Sequence, residues 1–148
     1  MINQDIIFLD RNFKDSTELL SSIADELLFK GYVKESFKEG IMKREEVYPT
    51  AIQAENYCLA IPHTDSEHIE KPGIAFVRMN EGCDFKEMCT NEDVKVNMAF
   101  VLLVKDKEKQ VPLLTKLMGL FSKNDILEKL YKEKNPVSIE NLLNSEIQ

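Results

Sequence analysis

From Met98 to Val104 the chain is apolar at every position, and just before it Val94-Lys95-Val96-Asn97 alternates apolar with polar. A strand with that pattern starts with one face in water and then runs into the middle of a sheet covered on both sides. Seven residues are far short of the ~20 needed to cross a bilayer, so the run must be buried by the rest of the chain. Helices have to supply the cover. Asp15 and Glu18 make a D-x-x-E capping pattern, after which Leu19, Leu20, Ile23, Ala24, Leu27 and Leu28 recur at helical spacing as one apolar face. Gly31 stands where a helix end wants positive φ. A weaker helix is expected from Lys34 to about Glu46, with Phe37 and Ile41 inward, stopped by Pro49.

Strands are expected at Ile6 to Leu9, Tyr57 to Ile61, Gly73 to Met79 and Val94 to Val104. The last third reads as helical. Leu113, Leu114, Leu117, Met118 and Phe121 form a stripe after Pro112, a shorter amphipathic piece holds Ile126, Leu127 and Leu130, and a last one begins near Ser138. Strands and helices mixed in this way predict an α/β fold, a single-domain sandwich with a mixed β-sheet and α-helices on both faces. No repeat, low-complexity tract or flexible linker divides the chain, so residues 1–148 are read as one domain.

Composition removes several function classes. The net charge is -7 and no basic run is present, which excludes a nucleic-acid backbone or an anionic membrane surface as the natural partner. Cys58, Cys83 and Cys89 have no C-x-x-C spacing and read as free thiols packed like small hydrophobes. With no secretory signal before Asp10, the protein is expected in the cytoplasm, with no direct membrane insertion.

Only two histidines are present, His63 and His68. His63 follows Cys58-Leu59-Ala60-Ile61-Pro62, so it is presented at a strand end, where α/β proteins commonly place catalytic groups. Position alone leaves a structural role equally open. Hydrolysis through a serine has no G-x-S-x-G elbow to use. A metal could be imagined among His63, Asp65, Glu67 and His68, but they crowd one short turn without the H-E-x-x-H spacing of a helix, and Asp65 and Glu67 suit a solvated loop. A third option is covalent chemistry on the imidazole, because a neutral ring is a fair nucleophile near neutral pH. Phosphoryl transfer asks for little more than in-line positioning and positive charge around the anionic oxygens. Arg44 is the nearest cation in sequence, although an arginine there is ordinarily a solvated surface residue.

Arg44-Glu45, then Pro49-Thr50, then Leu59-Ala60-Ile61-Pro62-His63 resembles the signature of the enzyme IIA domains of the bacterial sugar phosphotransferase system, fructose–mannitol superfamily. The resemblance spans nearly the whole chain. It implies that His63 is catalytic and carries a phosphoryl group received from phospho-HPr, while Arg44 stabilises it. It further implies that the group passes to a cysteine of a cognate enzyme IIB, in support of uptake of a sugar or sugar alcohol. Attack through Nε2 is expected, and no metal, nucleotide or other cofactor is needed. Many members of the superfamily carry a second histidine at the start of the late helix. Here that place matches Gln110, which is more similar to the galactitol-type branch, and Gln110 and Thr50 are the implied supports of the phosphoryl site. His68 does not match the missing partner and is expected at the surface. A regulatory protein of the same family, controlling a partner rather than feeding a transporter, is the alternative, and so is a metal-dependent hydrolase built on His63, Asp65 and His68. The sugar and the oligomeric state are left open.

Overall fold

The computed structural model describes residues 2–147. Five strands form one mixed sheet: β1 (Ile7–Arg11), β2 (Ala51–Gln53), β3 (Cys58–Ala60), β4 (Gly73–Lys86) and β5 (Asp93–Leu103). Their spatial order is β1-β4-β5-β3-β2. β4 and β5 pair antiparallel over their length, from Gly73↔Leu103 to Lys86↔Asp93, while β1 joins β4 and β3 joins β5 in parallel. β2 pairs antiparallel with β3, Ala51 opposite Ala60.

Five helices cover the sheet: α1 (Ser16–Phe29), α2 (Phe37–Val47), α3 (Gln110–Phe121), α4 (Asn124–Lys132) and α5 (Pro136–Ile147). The expected switch in β5 is what makes two covers necessary. From Met98 onward its side chains alternate between two separate cores. Ala99, Val101 and Leu103 pack with α1 and α2, whereas Met98, Phe100 and Leu102 pack with α3, α4 and α5. On the second side Phe76, Phe100 and Phe121 meet at ring-centroid separations of 5.3 Å, each pair adding about 0.5–1.5 kcal/mol beyond simple burial. Among the described residues no helix is long and apolar enough to cross a membrane.

Local expectations hold with some corrections. Asp15 Oδ1 accepts the Glu18 N–H at 3.0 Å and starts α1, and Gly31 beyond its end has φ +83°. Leu28 is 39% exposed, because it falls at the edge of the α1 stripe rather than on it. Met118 of α3 likewise faces outward. Of the three thiols, Cys58 and Cys83 are core residues as expected, but Cys89 lies in the exposed β4–β5 turn. β4 runs seven residues beyond the expected strand, through a register shift between Arg78 and Cys83. β2 was not apparent as a strand from its three residues.

One buried charge ties the layers together. Arg78 of β4, 4% exposed, donates from Nη1 to the carbonyls of Leu130 and Glu133, the orphan acceptors at the end of α4, and its Nη2 lies 3.5 Å from Asp10 Oδ1.

Candidate active site

Strand direction decides which residues meet. β3 and β5 run parallel, so both end at the same edge of the sheet, and the Leu102 N–H donates to Pro62 O at 3.0 Å to continue that pairing past β3. His63 therefore sits where three segments converge: the exit from β3, the exit from β5 that leads into α3, and the start of β4 at Gly73.

The ring of His63 is half-buried, and its Nδ1 lies 2.8 Å from the carbonyl oxygen of Ile61. A carbonyl can only accept, so Nδ1 carries the proton and the lone pair is on Nε2. Burial lowers the pKa of the ring. The Ile61 hydrogen bond opposes that shift, the Arg44 charge adds to it, and Asp65 opposes it weakly. The result is a neutral imidazole with a defined nucleophilic nitrogen.

Arg44 and Glu45 come from the last turn of α2. The buried stripe of that helix is Phe37, Ile41, Glu45, four residues apart each time, so a carboxylate occupies the place of a third apolar residue. Arg44, one residue earlier, is rotated about 100° away. It is half-buried rather than solvated as expected: its guanidinium lies 5.3 Å from the Tyr48 ring centroid, and its Nε is buried with no hydrogen-bond partner. Its charge acts directly on His63.

Glu45 is 6% exposed and accepts twice from Thr50, from the backbone N–H at Oε2 and from the hydroxyl at Oε1, both at 2.8 Å. Burial pushes its pKa up to about 7 against the opposing pull of the Thr50 hydrogen bonds. Thr50 Oγ1 in turn accepts the Ile61 N–H at 3.2 Å.

His68 differs from expectation. Its side chain is only 17% exposed, with Nδ1 2.7 Å from Ser36 Oγ and Nε2 3.7 Å from Glu67. It packs on α2 at Gly40, where an added Cβ would stand 3.1 Å from His68 Nε2 and 3.2 Å from Thr64 Oγ1. Asp65 and Glu67 are exposed, as a solvated loop should be. Among the described residues no three His, Cys, Asp or Glu side chains come together as a metal cage. A hollow of about 660 Å³ lies between α1 and α2, lined by Leu20, Lys38, Met42, Glu45 and Lys86 among others, but His63 is not part of it.

The family model described as "Phosphoenolpyruvate-dependent sugar phosphotransferase system, EIIA 2" matches residues 1–146. The chain belongs to this EIIA family. It is similar to the galactitol-specific EIIA component of the phosphotransferase system of Escherichia coli, with 32% identity over 119 residues, 80% of this chain and 79% of that protein. In fold it resembles the IIA mannitol crystal structure from Escherichia coli, with TM-score 0.76, 18% identity and coverage of 100% of this chain and 99% of that one. It also resembles enzyme IIA mannitol in its complex with phosphorylated enzyme IIB mannitol, with TM-score 0.78, 21% identity and 98% of each chain covered.

Within the EIIA frame, the positions singled out from the sequence divide. His63 and Arg44 are brought together. Thr50 meets the site through the backbone: its hydroxyl donates to Glu45 and accepts the Ile61 N–H at the end of the strand that leads to His63. Gln110 is half-buried at the N-terminus of α3, at the same edge of the sheet as His63, and no described hydrogen bond joins the two. Glu45 was passed over as a site residue. The signal was present in the spacing, since an acid four residues beyond Ile41 falls on the inward face of α2.

Proposed function

We propose that this EIIA protein is a phosphoryl carrier of a sugar phosphotransferase system, with His63 as the residue that is phosphorylated. The observation that carries the reading is the bond from His63 Nδ1–H to the Ile61 carbonyl, which leaves the Nε2 lone pair free on a ring that the Arg44 charge acts on. Phospho-HPr is the donor. Nε2 attacks phosphorus, the N–P bond to the donor imidazole breaks with its electron pair left on that ring, and a new Nε2–P bond forms. The second step repeats this with a thiolate of enzyme IIB as nucleophile and His63 as leaving group. Neither step needs a metal or nucleotide, because a loose transition state asks mainly for alignment and charge.

Arg44 supplies the charge. Its buried Nε–H without a partner is a donor that a phosphoryl oxygen would satisfy, and a donor of this kind contributes most in a site screened from water. Gln110, where other family members have a histidine, offers a neutral donor from the start of α3. The galactitol-specific relative makes a sugar alcohol of that type the first substrate to test for the cognate transporter. We place the relay in the cytoplasm, where HPr works.

The test is direct. Incubated with enzyme I, HPr and phosphoenolpyruvate, the protein takes up one acid-labile phosphoryl group, and His63→Ala takes up none. Equal labelling of the variant would remove His63 from the mechanism.

A further inference from the structure

We propose that Glu45 is a positioning residue for His63: acting through the Thr50 hydroxyl and the Ile61 backbone, its carboxylate determines which ring nitrogen carries the proton and which is free to attack. The inference rests on the carrier reading for its purpose, but its geometry stands apart from it.

The route has three joints, and each has a direction. An ionised carboxylate only accepts, so Thr50 must spend its single hydroxyl proton on Glu45 Oε1. What remains on Thr50 Oγ1 is acceptor capacity, and that capacity faces the Ile61 N–H. The pairing of β2 with β3 explains the meeting, since Ala51 opposes Ala60 and the next positions outward are Thr50 and Ile61. A side-chain hydroxyl thus replaces the ladder bond where the strands part. Ile61 is then gripped on both sides, by Thr50 at its N–H and by Pro62 after it, whose ring restricts the ψ of the preceding residue. Its carbonyl has one orientation and meets His63 Nδ1 at 2.8 Å. Through this chain, a carboxylate on α2 decides the tautomer of a ring that it does not touch.

A purely structural role is a poor account of Glu45. The stripe Phe37, Ile41, Glu45 packs against the α1 side of the sheet, where a third apolar residue would be buried at no desolvation cost. A carboxylate is instead held at 6% exposure, with Thr50 supplying both of its hydrogen bonds. A neutral amide of the same shape brings N–H donors to Thr50. The hydroxyl is then no longer obliged to donate to position 45, and the hold on Ile61 loosens.

The test is the tautomer itself, read from the ring ¹⁵N shifts of His63 in the full chain at about pH 8.5, where Glu45 is ionised. The wild-type ring is expected in the Nδ1–H form. Glu45→Gln and Thr50→Val should each lower the ratio of Nδ1–H to Nε2–H by about tenfold, the size of one lost hydrogen bond, and Thr50→Ser should restore it. In transfer assays the first two should lower kcat with little change in KM for phospho-HPr. An unchanged ratio in folded Glu45→Gln or in Thr50→Val overturns the proposal. If Glu45→Gln does not fold, the Thr50→Val and Thr50→Ser pair decides alone. The ring shifts need no phosphoryl donor, so the two readings fail separately. A tautomer that moves as stated in a protein that phospho-HPr cannot label leaves Glu45 in place and sinks the carrier.

Discussion

The two histidines lie five residues apart on one loop, and both have Nδ1 engaged by a neighbour, yet the neighbours differ in kind. His63 Nδ1 meets a backbone carbonyl, whereas His68 Nδ1 meets the hydroxyl of Ser36. A carbonyl accepts and nothing else, so it specifies the tautomer. A hydroxyl both donates and accepts, so it holds the ring in place without choosing a nitrogen. The second nitrogens differ as well. His63 feels the Arg44 cation, while His68 Nε2 faces the Glu67 carboxylate at 3.7 Å, where an arriving anion would be repelled. What sets His63 apart is less its exposure than an acceptor-only partner at Nδ1 and a positive charge acting on the ring.

The sharpest way to break this comparison is to remove each ring. His63→Ala should abolish phosphoryl labelling, and His68→Ala should leave the labelled fraction at the wild-type level; labelling lost in both would erase the distinction. Next in size is the cation. Arg44→Ala should slow transfer by about 10²–10³, the range for a lost charge-stabilising donor, with circular dichroism unchanged. The same variant should raise the His63 pKa, since Arg44 is one of the groups that lowers it, and an NMR titration reads this.

The buried carboxylate behind the His63 strand comes third, and its effect is read through pH. Glu45 has a folded pKa of about 7 against 4.5 for the free group. Its neutral form is favoured by folding, so that stabilisation is complete below pH 4.5 and is lost as pH rises through about 7. By linkage the loss is roughly 3 kcal/mol, visible as a falling urea midpoint between those limits. Glu45→Gln should flatten the profile, and a flat wild-type profile would contradict the burial argument. The smallest effect belongs to His68. Ser36→Ala removes the partner of its Nδ1 near the surface and should cost under about 1 kcal/mol by urea denaturation, with phosphoryl labelling intact.

Patterning made the covered strand, the capped helix and the mixed architecture legible, because periodicities of two and 3.6 report which faces are buried. It could not show β2, where only Ala51-Ile52-Gln53 carries the pattern, nor the far half of β4, where Asn80-Glu81-Gly82 interrupts it at the register shift. Strand order was hidden for a different reason: pairing is a property of contacts distant in the chain, and no local spacing encodes it. In the site, His63 and Arg44 stood out by their motif. Glu45 stands in the same motif and on the inward face of α2, but its link to Ile61 through Thr50 is visible only in the β2–β3 register. Arg78 belongs to no motif, and its bond to the Leu130 carbonyl near the end of α4 comes from packing between distant segments.

Both margins of the sheet are short, five residues in β1 and three in β2, and where the long β4 and β5 run past them the Asp84 N–H meets Lys14 O and the Met88 N–H meets Ala51 O. Another polypeptide thus finds only short, interrupted stretches of free backbone to zip onto. A visitor is met mainly by side chains. For the carrier proposed above, which would meet a donor and then an acceptor, contacts that do not fuse the sheets suit a meeting that has to end.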